Sequence, residues 1–333
     1  MTLTVLGFRT QSLEDLIAEM QDQWFAGSKP KTTIMRPLSK ELRDRPGFPW
    51  AVIAQRPSRS IDTVVLEEAL KQSILSDIGY FWSPGAAEWY SSHGIAYRRG
   101  YHFWGPPGTG KSSLAFAIAD VFDVDIYCGS VNDPGLTEGG FLSLLSHLSR
   151  RSILLLEDID SAGLRRESQK SNDGRNESGI SLSGLLNAID GVASSEGRIL
   201  IMTSNMPDHL DGALTRPGRI DFPVEFKSAS KEQSREIFLR MYSHPRRPSA
   251  KNAKTDAVND LDLELLAVRF KNEIPDRLLT PAELQGFLLA KTGPTDAVDH
   301  VSTWKDDVLS RRERMAQHKS TTQQPLTSDQ VHG

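Results

Sequence analysis

The sequence predicts an α/β fold, because short apolar runs of strand length alternate with segments of helical periodicity. Four such runs carry this prediction, at Gly100 to Trp104, Val124 to Cys128, Ser152 to Glu157 and Arg198 to Ser204. Each run ends at polar residues or glycine, as strands that are buried on both faces of a sheet commonly do. Parallel strands need long crossover connections, so the alternation favours a parallel sheet flanked by helices.

The segment before this pattern is less regular. Residues Thr2 to Leu6 alternate like a strand, and apolar residues then recur at helical spacing from Leu13 to Trp24. The stretch from Lys29 to Pro57 is rich in proline, which indicates irregular structure or short edge strands. We therefore place a domain boundary near Arg56, after a small α+β domain.

Helical periodicity surrounds the four strands on both sides. A helical segment, DTVVLEEALKQSILSDI, precedes the first strand, and after Ser230 only helical periodicities remain. The predicted parts are an N-terminal domain, a core, a small helical domain and a disordered tail, over residues 1–56, 57–229, 230–315 and 316–333. Two hydrophilic stretches predict mobile surface loops, at residues 162–179 and 243–258.

The composition excludes several classes of protein. With 333 residues, 38% of them hydrophobic, the chain can bury a core. A net charge of -4 disfavours a broad nucleic-acid-binding face. Cys128 is the single cysteine, so neither a disulfide scaffold nor a zinc module is expected. No run approaches the roughly 18 to 20 apolar residues of a membrane-spanning helix, so we expect no span within this chain.

The segment GPPGTGKS, residues 105–112, carries the strongest chemical motif. It fits the phosphate-binding pattern G-x-x-x-x-G-K-[ST] and stands between a predicted strand and an apolar helix. In such loops glycines let backbone N–H groups turn toward phosphates, the lysine reaches the β and γ phosphates, and the serine hydroxyl is a magnesium ligand. The predicted nucleotide-binding residues are Gly105, Pro106, Pro107, Gly108, Thr109, Gly110, Lys111, Ser112 and Ser113.

Two acids end the third predicted strand, where ligands bind in parallel α/β sheets. By position, Glu157 is the acid on the magnesium side and Asp158 is the base that polarises water, although which of the two is the base stays open. The predicted metal ligands are Ser112, Glu157 and Asp158. For Asp160, a supporting role in the site and an exposed strand end are equally compatible with the sequence.

Three further residues complete the predicted catalytic set. Asn205 follows the fourth strand, and its amide can donate to the γ-phosphate and orient an attacking water. Arg216 and Arg219 lie in LTRPGRID. Guanidinium groups stabilise charge on a transferring phosphoryl group, and a neighbouring subunit can supply them.

The motifs together resemble a known family. The order GPPGTGKS, ILLLEDID, MTSN and DGALTRPGRID is similar to that of the AAA ATPases, a group of P-loop NTPases. Within that group the chain resembles the mitochondrial chaperones for the synthesis of ubiquinol-cytochrome c reductase, the cytochrome bc complex. The passages that carry this second resemblance are RPSRSIDTVVLEE, YSSHGIAYRRGY, RSILLLEDID with its Glu-Asp order, SGLLNAIDGVASSEGRI and TPAELQGFLL.

The resemblance implies an ATPase with ATP and Mg²⁺, working as a ring of six or seven subunits. It also implies a location on the inner mitochondrial membrane, facing the matrix, and a folded protein cargo, the Rieske iron-sulfur protein. The implied fold is a P-loop core, a helical lid and part of a family-specific N-terminal domain. Members carry a membrane helix before the matched segment, so we expect membrane attachment only through a segment missing from this chain.

Other functions stay open at this point. A divergent paralogue in the cytosol with another protein cargo shares all these motifs, and so does a nucleotide switch that does not hydrolyse ATP. A clamp-loader-type protein acting on DNA is disfavoured, because the basic residues are dispersed in pairs without aromatic neighbours, and we expect no nucleic-acid partner. Phe141 is the only aromatic residue of SVNDPGLTEGGFLSLLSHL, and its spacing with Leu142, Leu145 and Leu148 predicts a core position rather than a pore loop.

Overall fold

The computed structural model describes most of the chain, at residues 31–43, 47–57, 60–133, 135–160, 180–190, 196–206, 211–214, 216, 218–243 and 260–322. The predicted strand and helix before residue 31, the loop at 162–179 and nearly all of the loop at 243–258 lie outside these residues. The chain divides into two compact units: Met1–Gly105 with Gly110–Phe226, and Pro106–Thr109 with Lys227–Gly333.

A seven-stranded sheet forms the centre of the first unit. Its strands are β1 (Lys31–Pro37), β2 (Trp50–Pro57), β3 (Arg99–Trp104), β4 (Asp125–Ser130), β5 (Ser152–Glu157), β6 (Ile199–Ser204) and β7 (Phe222–Glu225), in the spatial order β2-β1-β4-β5-β6-β3-β7. Every neighbouring pair is parallel except β1 with β2. The predicted α/β fold with a parallel sheet is therefore confirmed, and the four predicted strands are β3 to β6.

The sequence did not predict the strand at one edge of the sheet, and for the other edge it left irregular structure and short edge strands open. β7, which the sequence analysis missed, is a short edge strand that contains Pro223, a residue that edge strands tolerate. At the other edge β1 and β2 form an antiparallel pair, and Ile34 of β1 aligns with Ile126 of β4. β1 joins the main sheet, and the domain boundary near Arg56 stays a prediction.

The helices of the first unit cover the sheet. They are α1 (Lys40–Arg43), α2 (Glu68–Phe81), α3 (Ala86–Ser92), α4 (Lys111–Val121), α5 (Glu138–Ser146) and α6 (Leu182–Asp190). The helix predicted in DTVVLEEALKQSILSDI begins later than expected, since Ile61–Thr63 forms only a 3₁₀ turn and Val64 is extended. Ile74, Ile78 and Phe81 then form the buried stripe of α2 at helical spacing.

The core lies on both faces of the sheet. Ile153 and Leu155 of β5 pack in one apolar cluster, and Leu154 and Leu156 pack in the other, because successive side chains of a strand point to opposite faces. Phe141 of α5 is 3% exposed within the second cluster, as predicted for a core residue. Leu142, by contrast, is 39% exposed and does not share that position.

The second unit is helical, as the sequence predicts. Its helices are α7 (Lys231–Tyr242), α8 (Asp260–Glu273), α9 (Pro281–Leu289) and α10 (Pro294–Thr322). Capping boxes start α7 at Ser230 and α9 at Thr280, so side chains satisfy the first free N–H groups. α10 continues beyond the predicted end of the helical domain at residue 315. None of the helices in the described ranges has the long apolar stretch that crossing a membrane requires.

Candidate nucleotide-binding and catalytic site

The phosphate-binding loop leads from the end of β3 into α4, as its motif predicts. Gly105 has a φ of 139°, and a Cβ atom there would lie 2.0 Å from the carbonyl oxygen of Phe226. Gly110 caps α4 in the left-handed region with a φ of 100°. Any other residue type at these two positions would introduce strain, so the loop path depends on glycine.

The middle of the loop, Pro106–Thr109, belongs to the second unit. Thr109 is buried, and its hydroxyl donates a hydrogen bond to the carbonyl oxygen of Pro106 at 2.8 Å. The backbone N–H of Ala282, in the first turn of α9, donates to the carbonyl oxygen of Gly108 at 3.1 Å. The start of α9 therefore fixes the turn at Gly108.

Lys111 is the first residue of α4 and is buried. Its Nζ donates to the carbonyl oxygen of Gly105 at 2.7 Å and to Oδ1 of Asn205 at 2.8 Å. Burial lowers the pKa of Lys111, and the negative charges of Asp158 and Asp160 oppose that shift. The predicted phosphate lysine and the predicted water-orienting amide are thus in direct contact at the end of β6.

The two acids at the end of β5 have different partners. Ser112 Oγ donates to Glu157 Oε1 at 2.8 Å, whereas Asn205 Nδ2 donates to Asp158 Oδ1 at 3.1 Å. Asp158 has a φ of 49°, a left-handed conformation that residues other than glycine rarely adopt. Its backbone N–H donates to Thr203 Oγ1 at 3.0 Å, which holds it there. A tightly held strained residue of this kind is typical of functional sites.

The Ser112 and Glu157 pair fits a magnesium ion in its chemistry. Hydroxyl and carboxylate oxygens are the hard ligands that Mg²⁺ prefers, and it usually binds one or two carboxylates together with substrate phosphates. The described residues contain no group of three or more histidine, cysteine and acidic side chains that could hold a metal ion.

Two residues at this site have roles that the sequence did not reveal. Asp160 Oδ2 accepts the backbone N–H groups of Asn205 at 3.1 Å and Met206 at 3.0 Å. Arg36 of β1 has its Nη2 3.8 Å from Glu157 Oε2. No local pattern could place Arg36 near the acids, because the pairing of β1 with β4 joins segments far apart in the chain.

The structure does not bring the two arginines to these residues. Arg216 is exposed. Arg219 contacts Asp190 through its Nε, and its Nη1 donates to the carbonyl oxygen of Ala213 at 2.6 Å. Asp190 also lies 3.2 Å from Nη2 of Arg98, which precedes β3. Arg219 thus lies near the first residue of β3, whereas the phosphate-binding loop follows the last residue of that strand.

The remaining predicted residue, Ser113, lies half-buried in α4. Hydrogen bonds therefore join five of the predicted residues in two groups near the ends of β3, β5 and β6. The first group is Lys111, Asn205 and Asp158, and the second is Ser112 and Glu157. Lysine, hydroxyl, carboxylate and amide groups at these strand ends are the set that phosphoryl transfer requires.

Comparisons with protein families agree with this geometry. The family described as "ATPase family associated with various cellular activities (AAA)" matches residues 101–228. Residues 231–303 match "Mitochondrial chaperone BCS1-like, ATPase lid domain", and residues 1–64 match "BCS1 N terminal". The three matches follow one another along the chain in the order that the sequence analysis predicted.

Individual relatives are similar over nearly the whole chain. The "Probable mitochondrial chaperone bcs1" of Schizosaccharomyces pombe is 36% identical over 92% of this chain, and the chain spans 62% of that protein. The "Mitochondrial chaperone BCS1" of Danio rerio is 35% identical over 92% of the chain and 68% of the relative. The human protein of the same name is 33% identical over 91% of this chain and 67% of the relative.

Proposed function

This chain belongs to the BCS1 family of mitochondrial chaperones, whose core is an AAA ATPase domain, and on that premise we propose that it hydrolyses ATP with Mg²⁺ to do work on a protein cargo. One observation carries the proposal: Asn205 hydrogen-bonds both Lys111 and Asp158. A phosphate-binding lysine and an acid are thereby held on either side of one amide, the arrangement that a water attacking the γ-phosphate needs.

The proposed reaction uses each group in a distinct role. Lys111 leaves its present acceptors and binds the β and γ phosphates, while the N–H groups at the start of α4 face the same phosphates. Ser112 and Glu157 would hold Mg²⁺, which neutralises charge on the phosphates when bound. Asn205 orients a water molecule, and Asp158 accepts its proton as the water attacks the γ-phosphorus. The bond from the γ-phosphorus to the oxygen that bridges it to the β-phosphate breaks, so ADP leaves with that oxygen and phosphate is released.

A steady-state assay tests this proposal directly. The chain is expected to release phosphate from ATP with Mg²⁺ and to lose that activity in excess EDTA, because the Ser112 and Glu157 oxygens need the metal to hold the nucleotide productively. Phosphate release and binding of a non-hydrolysable ATP analogue are measured on the same preparation. Tight binding of the analogue without phosphate release would contradict an ATPase and indicate a nucleotide switch.

We also propose that the active form is a ring of six or seven copies. Arg216 supports this, since it is exposed and could reach the nucleotide of a neighbouring copy. Arg219 is bound to Asp190 and Ala213 of its own chain, so we assign it the role of holding the segment that carries Arg216.

A mixing experiment tests the ring. Arg216→Ala and Lys111→Ala are each expected to be inactive alone, but together they restore part of the turnover, because an intact loop then meets an intact arginine across an interface. Arg150→Ala, at another exposed arginine, is the control and should stay active alone. A fully active Arg216→Ala variant that stays monomeric at all concentrations would contradict the ring.

The cargo and the location complete the proposal. The relatives' names describe mitochondrial chaperones, which supports a protein cargo in mitochondria. We propose a folded cargo, the Rieske iron-sulfur protein, at the matrix side of the inner membrane. The burial of Phe141 supports a folded cargo, since it leaves the segment SVNDPGLTEGGFLSLLSHL without an exposed aromatic residue to grip an extended chain.

A further inference from the structure

The end of β6 contacts the residues that follow β3 on one side and the residues that follow β5 on the other. The backbone N–H of Gly105 donates to the carbonyl oxygen of Ser204 at 3.3 Å, and the N–H of Ile159 donates to that of Thr203 at 3.0 Å. The register of β6 with β3 ends at Ser204. Asn205 and Met206 therefore lie beyond the ladder, and their N–H groups need other acceptors.

Asp160 supplies those acceptors. Its Oδ2 accepts a hydrogen bond from the backbone N–H of Asn205 at 3.1 Å and another from the N–H of Met206 at 3.0 Å. Hydrogen bonds to a carboxylate are about twice as strong as those between neutral groups. A single side chain thus fixes two consecutive backbone amides at the point where the catalytic amide leaves the sheet.

The two oxygens of Asp160 have different surroundings. Its Oδ1 is buried and accepts no hydrogen bond from the described residues. His102 lies nearby, with its Nε2 2.8 Å from Ser204 Oγ. Burial lowers the pKa of His102 to about 4, although the charge of Asp160 opposes that shift, so the ring is neutral at pH 7. His102 therefore does not neutralise Asp160.

We propose that Asp160 is a positioning residue for ATP hydrolysis, which holds the backbone of Asn205 so that the Asn205 amide keeps its contact with Asp158 and orients the attacking water. The inference rests on the proposed ATPase function. Asp160 acts through Asn205 and does not touch the nucleotide. An amide displaced by about 1 Å would orient water poorly, and such displacements cost about a hundredfold in rate.

Substitutions of Asp160 in the full chain test this role. Asp160→Ala is expected to lower kcat by about 10- to 100-fold while the affinity for a non-hydrolysable ATP analogue stays unchanged. Asp160→Asn keeps a carbonyl oxygen that can accept the same two N–H groups, so its kcat should lie between those of the wild type and the alanine variant. Asp160→Glu keeps the charge but moves it by one methylene group, and should also lose kcat.

A double-mutant cycle separates positioning from a general structural effect. Adding Asp160→Ala to Asn205→Ala is expected to cause little further loss of kcat, because the side chain to be positioned is already gone. The matched control is Asp133→Ala, which removes a carboxylate that accepts the N–H of Gly135 at 2.9 Å. Asp133→Ala should lower the melting temperature and leave kcat equal to that of the wild type. Combined with Asn205→Ala, it should leave kcat equal to that of Asn205→Ala alone.

Each result distinguishes this inference from the function on which it depends. Unchanged kcat in Asp160→Ala, or losses that multiply fully in the cycle, would overturn the positioning role while the ATPase stands. If Asp160→Ala does not bind the analogue, the kcat of Asp160→Glu is the test instead. A wild-type kcat in Asp160→Glu would overturn the positioning role of Asp160. A wild-type chain without turnover would overturn the proposed function and this inference with it.

Discussion

Lys111→Ala is expected to abolish nucleotide binding. The Lys111 ammonium group is buried at the start of α4, where it can exchange the Gly105 and Asn205 oxygens for two phosphate oxygens. Removal of one charge-assisted hydrogen bond costs up to about 3 kcal/mol. The upper value corresponds to a fall in affinity of about 140-fold. The alanine also leaves Asn205 Oδ1 without its lysine donor.

Calorimetric titration with a non-hydrolysable ATP analogue measures this effect. A matched control is Lys231→Ala, at the lysine that begins α7 and whose backbone N–H donates to Asp276. That variant should bind the analogue like the wild type, since it removes a lysine from the first position of a helix outside the loop. Binding by Lys111→Ala within about twofold of the wild type would contradict the assigned phosphate contact.

Those strands could be predicted that are marked in the sequence by a local apolar run. β3 to β6 are short apolar runs between helical segments, and their burial on both faces follows from that composition. β7 carries only four residues, FPVE, and no run of that length stands out. For the proline-rich stretch that contains β1, the sequence left irregular structure and short edge strands open, because the pairing of β1 with β4 depends on contacts between distant segments.

The site shows the same division between local and long-range information. The motif predicts Lys111 and Ser112, and the strand ends predict Glu157, Asp158 and Asn205, because parallel strands end at one edge of the sheet. The sequence could not show that Asn205 bonds Lys111 and Asp158 together. Nor could it decide the role of Asp160, since a supporting acceptor and an exposed strand end fit the same sequence, and the hydrogen bonds to Asn205 and Met206 join segments far apart in the chain.

The Glu-Asp order makes the choice of base the most consequential question at this site. Asp158 contacts the Asn205 amide, and Glu157 contacts the Ser112 hydroxyl. Asp158→Asn keeps the size of the side chain and removes the group that accepts a proton. We therefore expect it to retain ATP and to lose turnover by about 10²- to 10⁴-fold, the usual contribution of a general base.

Glu157→Gln provides the matched comparison, because it makes the same chemical change at the adjacent residue. It weakens the oxygen that pairs with Ser112, so we expect a higher Mg²⁺ concentration for half-maximal nucleotide binding and partial turnover at saturating Mg²⁺. Single-turnover phosphate release and analogue binding over a range of Mg²⁺ concentrations separate the two effects. If Glu157→Gln stops turnover with binding intact while Asp158→Asn stays active, Glu157 is the base, and Asp158 belongs to the metal side.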